Sequence, residues 1–267
     1  MSGSLSAREA RLLRSLAFQG RDLFTVSEAE RVLGRDAGSV RVILHRLRAK
    51  GWLAHVARGR YRLIPLEAGA DGHWAEHEFR IAATLTRPYY LAYATALAHY
   101  GYTERALHPV WIATTRSRPP REIDGVLYRF AGLAEHKFFG WVDVDILGTP
   151  VAIAEREKAV ADGMDHPEYC GGITEAAKGL WYGRDEMDLR RLVAYARRLG
   201  NRAAVKRLGF WLDRLGFGAE EALCEVARED RSYPLLDPSG PRVGERDKVW
   251  RLIVNIPEPQ LLEWREN

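Results

Sequence analysis

The chain has 267 residues, of which 46% are hydrophobic and 28% charged, so it can bury a core and is not a disordered chain. Its length admits one large domain or two smaller ones. The formal net charge of +4 at pH 7 and the isoelectric point near 9.1 permit nucleic-acid binding without being diagnostic of it.

The cysteines and the hydropathy pattern indicate the compartment. Cys170 and Cys224 lie far apart and form no CxxC pair, which argues against a disulfide scaffold or a zinc ribbon and fits a reducing cytoplasm. The first residues, MSGSLSAREARLL, lack the apolar core of a signal sequence, and no run of about 18 apolar residues occurs. We therefore expect a soluble cytoplasmic protein without a membrane partner.

Three helices are predicted at the start of the chain. The first spans residues 6–19 and has its leucines on one face. The second begins after a capping box formed by Thr25 and Glu28, and it ends at Gly34. The third runs over about residues 36–50 and is followed by a glycine, a common helix stop.

A basic hairpin follows these helices. Two short runs, WLAHVA (52–57) and YRLIP (61–65), read as strands joined by the tight turn RGR. Three helices closed by such a hairpin are the order of a winged helix-turn-helix domain, which we predict for residues 1–67. An apolar stripe on the third helix supports this prediction; it consists of Val40, Ile43, Leu44 and Leu47.

Positive charge is concentrated in this segment. Residues 35–62 hold basic side chains against a single acid, Asp36. The basic residues are Arg35, Arg41, Arg46, Arg48, Lys50, Arg58, Arg60 and Arg62. A hairpin tip is solvated, so two arginines there cost little, and a phosphate backbone would offset their mutual repulsion.

One face of the third helix suits the major groove of DNA. At 3.6 residues per turn, small, apolar and basic side chains lie together opposite the apolar stripe. Arginine can bond guanine O6 and N7, and valine can contact a thymine methyl group. The arginines of the hairpin tip would contact phosphate or enter the minor groove. The predicted DNA-binding residues are Ser39, Arg41, Val42, His45, Arg46, Arg58, Arg60 and Arg62. The alternative is a solvated basic helix in a winged-helix domain that binds protein.

A segment of small residues and glycines at 67–73 predicts a linker to a second domain over residues 74–267. Residues 74–102 are helical in pattern and rich in alanine and tyrosine. Strands and helices then occur in blocks, which indicates an α+β fold, a larger mixed α/β domain behind the winged helix. The predicted strands are 109–115, 125–132, 138–148, 149–154 and 248–256, and the predicted helices are 155–165, 172–183, 187–200 and 201–216.

Four segments of the second domain follow one another in a characteristic order. They are YLAYATALAHYGY (Tyr90–Tyr102), IATTR (Ile112–Arg116), AEREKAVAD (Ala154–Asp162) and RLGFWLD (Arg207–Asp213). Together with the predicted winged helix-turn-helix domain, this succession resembles the AbiEi family, the antitoxins of type IV toxin–antitoxin systems. The resemblance covers about residues 7–260. Tyr102 departs from the pattern, since the family usually has leucine there, and a core position tolerates that exchange.

The resemblance implies a transcriptional repressor of its own operon that counteracts a nucleotidyltransferase-like toxin. It implies that the winged helix-turn-helix domain binds double-stranded promoter DNA and that the second domain carries the antitoxic action. Type IV antitoxins oppose the effect of the toxin, so a stable direct complex is not expected. The second domain shows no complete catalytic set of residues, so we expect no enzymatic activity and no cofactor.

Two groups of acids and histidines suggest metal chemistry instead. HWAEH, from His73 to His77, fits an inverted zincin pattern, although no third ligand is recognisable. Asp143 and Asp145 share one face of a strand, as do acids that hold magnesium in nucleases. Further groups of such a site could come from Glu155, Glu157 and Lys158. The simpler interpretation of the two aspartates is an edge strand protected by charge.

Other features leave alternatives open. Cys170 and His166 are close in sequence, but a packed cysteine is the more ordinary interpretation than a reactive pair. Residues 190–216 are rich in basic side chains, which would serve solubility, phosphate contacts or docking of an acidic toxin surface. An aromatic helix over Tyr89–Tyr102 could line the pocket of a ligand-responsive regulator. Three hypotheses remain: a DNA-binding antitoxin, a metal-dependent DNA-directed nuclease, and a regulator that senses a metabolite.

Overall fold

The computed structural model describes residues 5–19, 21, 23–50, 52–57, 59–63, 78–103, 109–218 and 221–265. It divides the chain into two units, Met1–His77 and Glu78–Asn267. The linker predicted at residues 67–73 lies outside the described residues. Among the helices of the described ranges, none is long and apolar enough to cross a bilayer.

The first unit contains the three predicted helices and a small sheet. Its elements are α1 (Ala7–Phe18), β1 (Leu23–Thr25), α2 (Val26–Leu33), α3 (Ala37–Ala49), β2 (Leu53–Ala57) and β3 (Arg60–Leu63). The predicted capping box of Thr25 and Glu28 is confirmed, and Gly34 ends α2 in the left-handed conformation that glycine adopts easily. The Asp36 side chain caps α3.

The sheet of this unit has the strand order β1-β3-β2, with both neighbours antiparallel to β3. The prediction of a two-stranded hairpin was therefore incomplete, because β1 adds a third strand. β1 has only three residues, too few to show an alternation of apolar and polar side chains. The apolar stripe of α3 is buried against the leucines of α1 and against Phe24 of β1.

The second unit is built on a six-stranded mixed sheet with the order β6-β7-β5-β4-β9-β8. Its strands are β4 (Tyr90–Leu91), β5 (Val110–Thr114), β6 (Arg121–Ile123), β7 (Val126–Gly132), β8 (Trp141–Ile146) and β9 (Thr149–Ala154). β4 runs parallel to β9, and β5 runs parallel to β7, whereas the other pairs are antiparallel. β8 is an edge strand.

Helices accompany this sheet and follow it in the chain. They are α4 (Glu78–Leu85), α5 (Tyr93–His99), α6 (Arg156–Asp165), α7 (Ile173–Tyr182), α8 (Leu189–Arg198), α9 (Arg202–Leu215), α10 (Glu221–Glu229) and α11 (Glu258–Leu262). α6 contacts α5, α7, α8 and α9, and its residues from Glu157 to Asp165 are all buried. A separate two-stranded sheet joins β10 (Glu245–Asp247) to β11 (Leu252–Val254). The predicted α+β class is confirmed.

Three predicted elements differ from the structure. The single helical pattern over residues 74–102 breaks into α4, β4 and α5 within the described residues, since Pro88 has no backbone N–H to continue a helix. The strand predicted over 248–256 is shorter, and residues 248–251 form a turn before β11. Residues 121–123, which lie between the predicted strands 109–115 and 125–132, form the additional strand β6.

Candidate nucleic-acid interface

The outer face of α3 is exposed and basic. Arg41, His45 and Arg46 are exposed, and Val42 is 51% exposed whereas Val40, on the opposite face, is fully buried. The structure therefore brings these four predicted side chains, 41, 42, 45 and 46, to one face of one helix. This face offers guanidinium donors and a methyl-bearing side chain, which are the groups that read base edges in the major groove.

Arg48 belongs to the same surface, although it was not in the predicted set. It is exposed in the last turn of α3. At 3.6 residues per turn it lies next to Arg41 around the helix, almost two full turns further along. Its spacing of seven from Arg41 was visible in the sequence, and it suits a contact to phosphate rather than to a base edge.

Ser39 has a structural role at the beginning of α3. Its backbone N–H donates to Asp36 Oδ1 at 3.0 Å, and its hydroxyl donates to Asp36 Oδ2 at 2.9 Å. The hydrogen bond from the Ser39 amide is the main cause that lowers the pKa of the Asp36 carboxyl. With its hydroxyl proton engaged, Ser39 can contribute only as an acceptor at a DNA surface.

The three arginines predicted to bind DNA from the wing, which is the β2–β3 hairpin, differ in what the structure shows of them. Arg60 begins β3 opposite Thr25 and Ala57, after a turn in which Gly59 has φ of 74°. Arg58 lies outside the described residues. Arg62 is only 5% exposed in the central strand, so the prediction that it faces DNA with the others is corrected. The side chains of a strand project to the two faces of its sheet, and the Arg62 side chain lies on a covered face.

Lys50 holds α3 against α1 through a buried acid. Its Nζ lies 2.7 Å from Glu9 Oε2, and Glu9 is 2% exposed. Burial raises the pKa of Glu9, but the Lys50 ammonium and the hydrogen bonds from Ser6 outweigh burial and lower the pKa to about 2. Lys50 therefore positions α3 and is not part of its exposed face.

The substitution Glu9→Gln is expected to destabilise the first unit by about 2 kcal/mol at neutral pH, because it removes the charge while keeping the shape. The Glu9 pKa of about 2 lies below its ordinary value of 4.5, so the contribution is present above about pH 4.5 and disappears as the pH falls toward 2. Urea unfolding across this range should show the difference between wild type and variant shrinking. The matched change Glu30→Gln should have little effect, and equal loss in both variants would contradict the assignment.

The predicted nuclease site does not assemble in the structure. Asp143 and Asp145 are exposed on the edge strand β8, and Asp145 Oδ1 accepts a hydrogen bond from the Gly148 amide at 3.0 Å. The other predicted groups are engaged elsewhere: Glu155 with Tyr195, Glu157 with Arg191, and Lys158 with Asp162. Over the described residues, no three carboxylate, histidine or cysteine side chains converge as metal ligands. His73 and His77 lie outside the described residues.

Cys170 and His166 do not form a reactive pair. Cys170 is 3% exposed, and burial raises its pKa well above the ordinary value, so the thiol stays protonated. His166 Nδ1 lies 2.9 Å from Glu168 Oε1, and the imidazole stacks on Tyr169. Cys170 is therefore a packed side chain.

The basic segment 190–216 divides into exposed and buried cations. Arg190, Arg197 and Arg202 are exposed. Lys206 and Arg207 are buried at 0% and 5% exposure, so the expected roles in solubility, phosphate contacts or docking do not apply to them. Lys206 pairs with Asp230 at 2.9 Å, and Arg207 donates to the Leu235 and Met164 carbonyls. These two cations therefore stabilise the packing of α9 against α6 and against the segment that follows α10.

Comparison with known proteins supports the interpretation of the first unit. Residues 11–64, from α1 to the end of the wing, match the family described as "Transcriptional regulator, AbiEi antitoxin". The crystal structure of the RV2827C protein from Mycobacterium tuberculosis has a similar fold, with a TM-score of 0.70 at 17% identity, covering 99% of this chain and 96% of that chain. At this identity, the likeness shows a shared fold. Over residues 11–64, this chain is therefore similar to the AbiEi antitoxin family of transcriptional regulators.

Proposed function

We propose that the protein is a DNA-binding antitoxin of a type IV toxin–antitoxin system, which represses its own operon and counteracts a nucleotidyltransferase-like toxin. The observation that carries the DNA-binding part is the exposed basic face of α3, with Arg41, Val42, His45 and Arg46 side by side. The family match of residues 11–64 supports the regulatory and antitoxin role.

The arrangement of the first unit favours specific readout over general attraction to DNA. Buried leucines and the pair of Lys50 with Glu9 fix α3, so its outer face is presented as a rigid surface. Arg41 lies nearer the start of the helix, where base contacts concentrate in helix-turn-helix proteins. Arg60 on the wing would contact phosphate, which adds affinity without sequence preference.

Gel shifts with the promoter of the protein's own operon test this assignment. Arg41→Ala is expected to weaken binding by about 1–3 kcal/mol and to relax the preference for the operator, because it removes a bidentate base contact. Arg60→Ala is expected to weaken binding to all duplexes alike. It should also reduce the slope of log K against the logarithm of the salt concentration by about 1, because one phosphate contact is lost.

Arg14→Ala provides the matched control, since Arg14 is an exposed arginine of α1 that, among the described residues, bonds only the Ala10 carbonyl of its own helix. It should leave the gel shifts unchanged. If Arg41→Ala and Arg60→Ala also bind the operator like wild type, the first unit does not read DNA through α3 and the wing.

A further inference from the structure

The second unit contains a cleft that is lined by residues of this unit alone. It forms where the β8–β9 hairpin meets the segment before β4, and it has a volume of about 470 Å³. Its lining includes Arg87, Tyr89, Phe138, Trp141 and Asp143. This volume falls within the range of sites that hold small molecules in proteins.

Aromatic rings form a fixed apolar wall of the cleft. Trp141 is 40% exposed, and its ring stacks on Tyr90 with centroids 5.7 Å apart and planes only 6° from parallel. Phe138 packs against the same indole at 4.9 Å. Tyr90 is fully buried and bonded by Lys158, so the support behind Trp141 is rigid. The exposed part of the indole therefore offers a preformed surface for a flat apolar group.

The same cleft carries one positive and one negative side chain. Within the described residues, neither Arg87 nor Asp143 takes part in an ion pair or hydrogen bond, although Asp145 on the same strand face is bonded to Gly148. Arg87 lies 5.9 Å from the ring centroid of Tyr89. Both charges act on the Tyr89 hydroxyl: burial raises its pKa, Arg87 lowers it and Asp143 raises it further. A cation and an anion thus border one buried hydroxyl and remain open to a ligand.

This combination defines the ligand by its charges. Arginine matches the planar carboxylate bidentately, whereas a carboxylate accepts hydrogen bonds from an ammonium group. The two charges sum to zero, so a nucleotide would bring excess negative charge beside Asp143. A choline-like cation would leave Arg87 without a partner. A ligand with one anionic group, one cationic group and a flat apolar part satisfies all three features.

We propose that this cleft binds a free α-amino acid with an aromatic side chain. Its carboxylate would bind Arg87, its ammonium group would bind Asp143, and its ring would lie against Trp141. This site goes beyond the DNA-binding and antitoxin functions and depends on neither, because all of its residues belong to the second unit.

Calorimetric titration of the full chain with L-phenylalanine tests the proposal. Saturable binding is expected, and the analogues phenylalaninamide and N-acetyl-L-phenylalanine should each bind at least about tenfold more weakly, since each loses one charge. Arg87→Gln and Asp143→Asn should each weaken L-phenylalanine by about tenfold or more. Asp145→Asn is the matched control and should bind like wild type.

The variants change exposed side chains, and unaltered thermal melts will confirm that they fold. Saturable binding that both charge variants weaken and the control preserves supports the site. Three results would overturn it: no saturable binding of L-phenylalanine or L-tryptophan, binding that Arg87→Gln and Asp143→Asn leave unchanged, or tighter binding of AMP than of L-phenylalanine.

Discussion

Replacing Lys158 with methionine is expected to lower the free energy of unfolding of the second unit by about 3–5 kcal/mol, because it leaves a buried carboxylate without its counter-ion. Lys158 is fully buried in α6, where its ammonium group pairs with Asp162 and bonds the Tyr90 hydroxyl at 2.9 Å. The ammonium group also lies 4.7 Å from the ring centroid of Phe139. The side chain therefore joins α6 to β4 at the centre of the unit.

The loss should depend on pH with a defined sign. Burial raises the pKa of Asp162 above its ordinary value of 3.8, and Lys158 opposes this rise. Without Lys158 the pKa rises further, so the acid becomes protonated as the pH falls and the neutral form is tolerated in the core. The deficit of Lys158→Met should be largest at neutral pH and smaller in acid, as measured by urea unfolding followed through tryptophan fluorescence.

Two companion variants separate the ion pair from general damage. Lys248→Met removes an exposed lysine of the same unit and should change stability little. The double change Lys158→Met with Asp162→Leu should recover much of the loss, because the buried charge is gone. A double variant less stable than Lys158→Met would show that packing, and not the unpaired carboxylate, accounts for the effect.

The elements that the sequence predicted well are those that local chemistry specifies. The caps at Thr25 with Glu28 and at Asp36 act within three residues, and both were readable in the sequence. The exposed face of α3 followed from helical periodicity for the same reason. A local signal is sufficient where both interacting groups lie within one turn of a helix.

Short strands and buried cations depend on distant parts of the chain, and the sequence did not reveal them. β4 has two residues, and its partners β5 and β9 follow it by about 20 and 60 positions. Arg207 is buried because it donates to the carbonyl of Leu235, 28 positions away. A basic residue on an amphipathic helix is normally exposed, so no rule of composition identifies such an exception.

The cleft of the second unit could not be predicted from the sequence for the same reason. Arg87 and Asp143 are 56 positions apart, and they line one cleft because β9 pairs with both β4 and β8. Asp143 and Asp145 look equivalent in the sequence, since both lie on one face of the same strand. The structure distinguishes them, because only Asp145 is engaged by the turn at Gly148.

Promoter binding and antitoxic action are expected to be separable. If the proposed function holds, a chain of residues 74–267 should lose binding to the operator completely and still rescue the growth of cells that express the toxin. The physical reason is that the second unit has its own sheet and its own core around α6. Reporter repression and growth rescue, measured for the same variants, would show both effects. Loss of rescue by a shortened chain that still melts cooperatively would mean that neutralisation requires the DNA-binding unit.

Charge reversal on α8 is expected to have the opposite effect: it should impair growth rescue and leave repression of the promoter intact. Arg190 and Arg197 are exposed at a spacing of seven on α8, so they present two positive charges on one face to a partner surface. Reversing both to glutamate should reduce growth rescue, whereas Arg242→Glu, an exposed arginine elsewhere in the unit, should not. Arg198 is left unchanged because its guanidinium lies 3.8 Å from the Phe139 ring centroid, and its reversal would also disturb packing. Co-purification of toxin with the wild-type chain should be poor, and a tight stoichiometric complex would contradict the type IV mode of action.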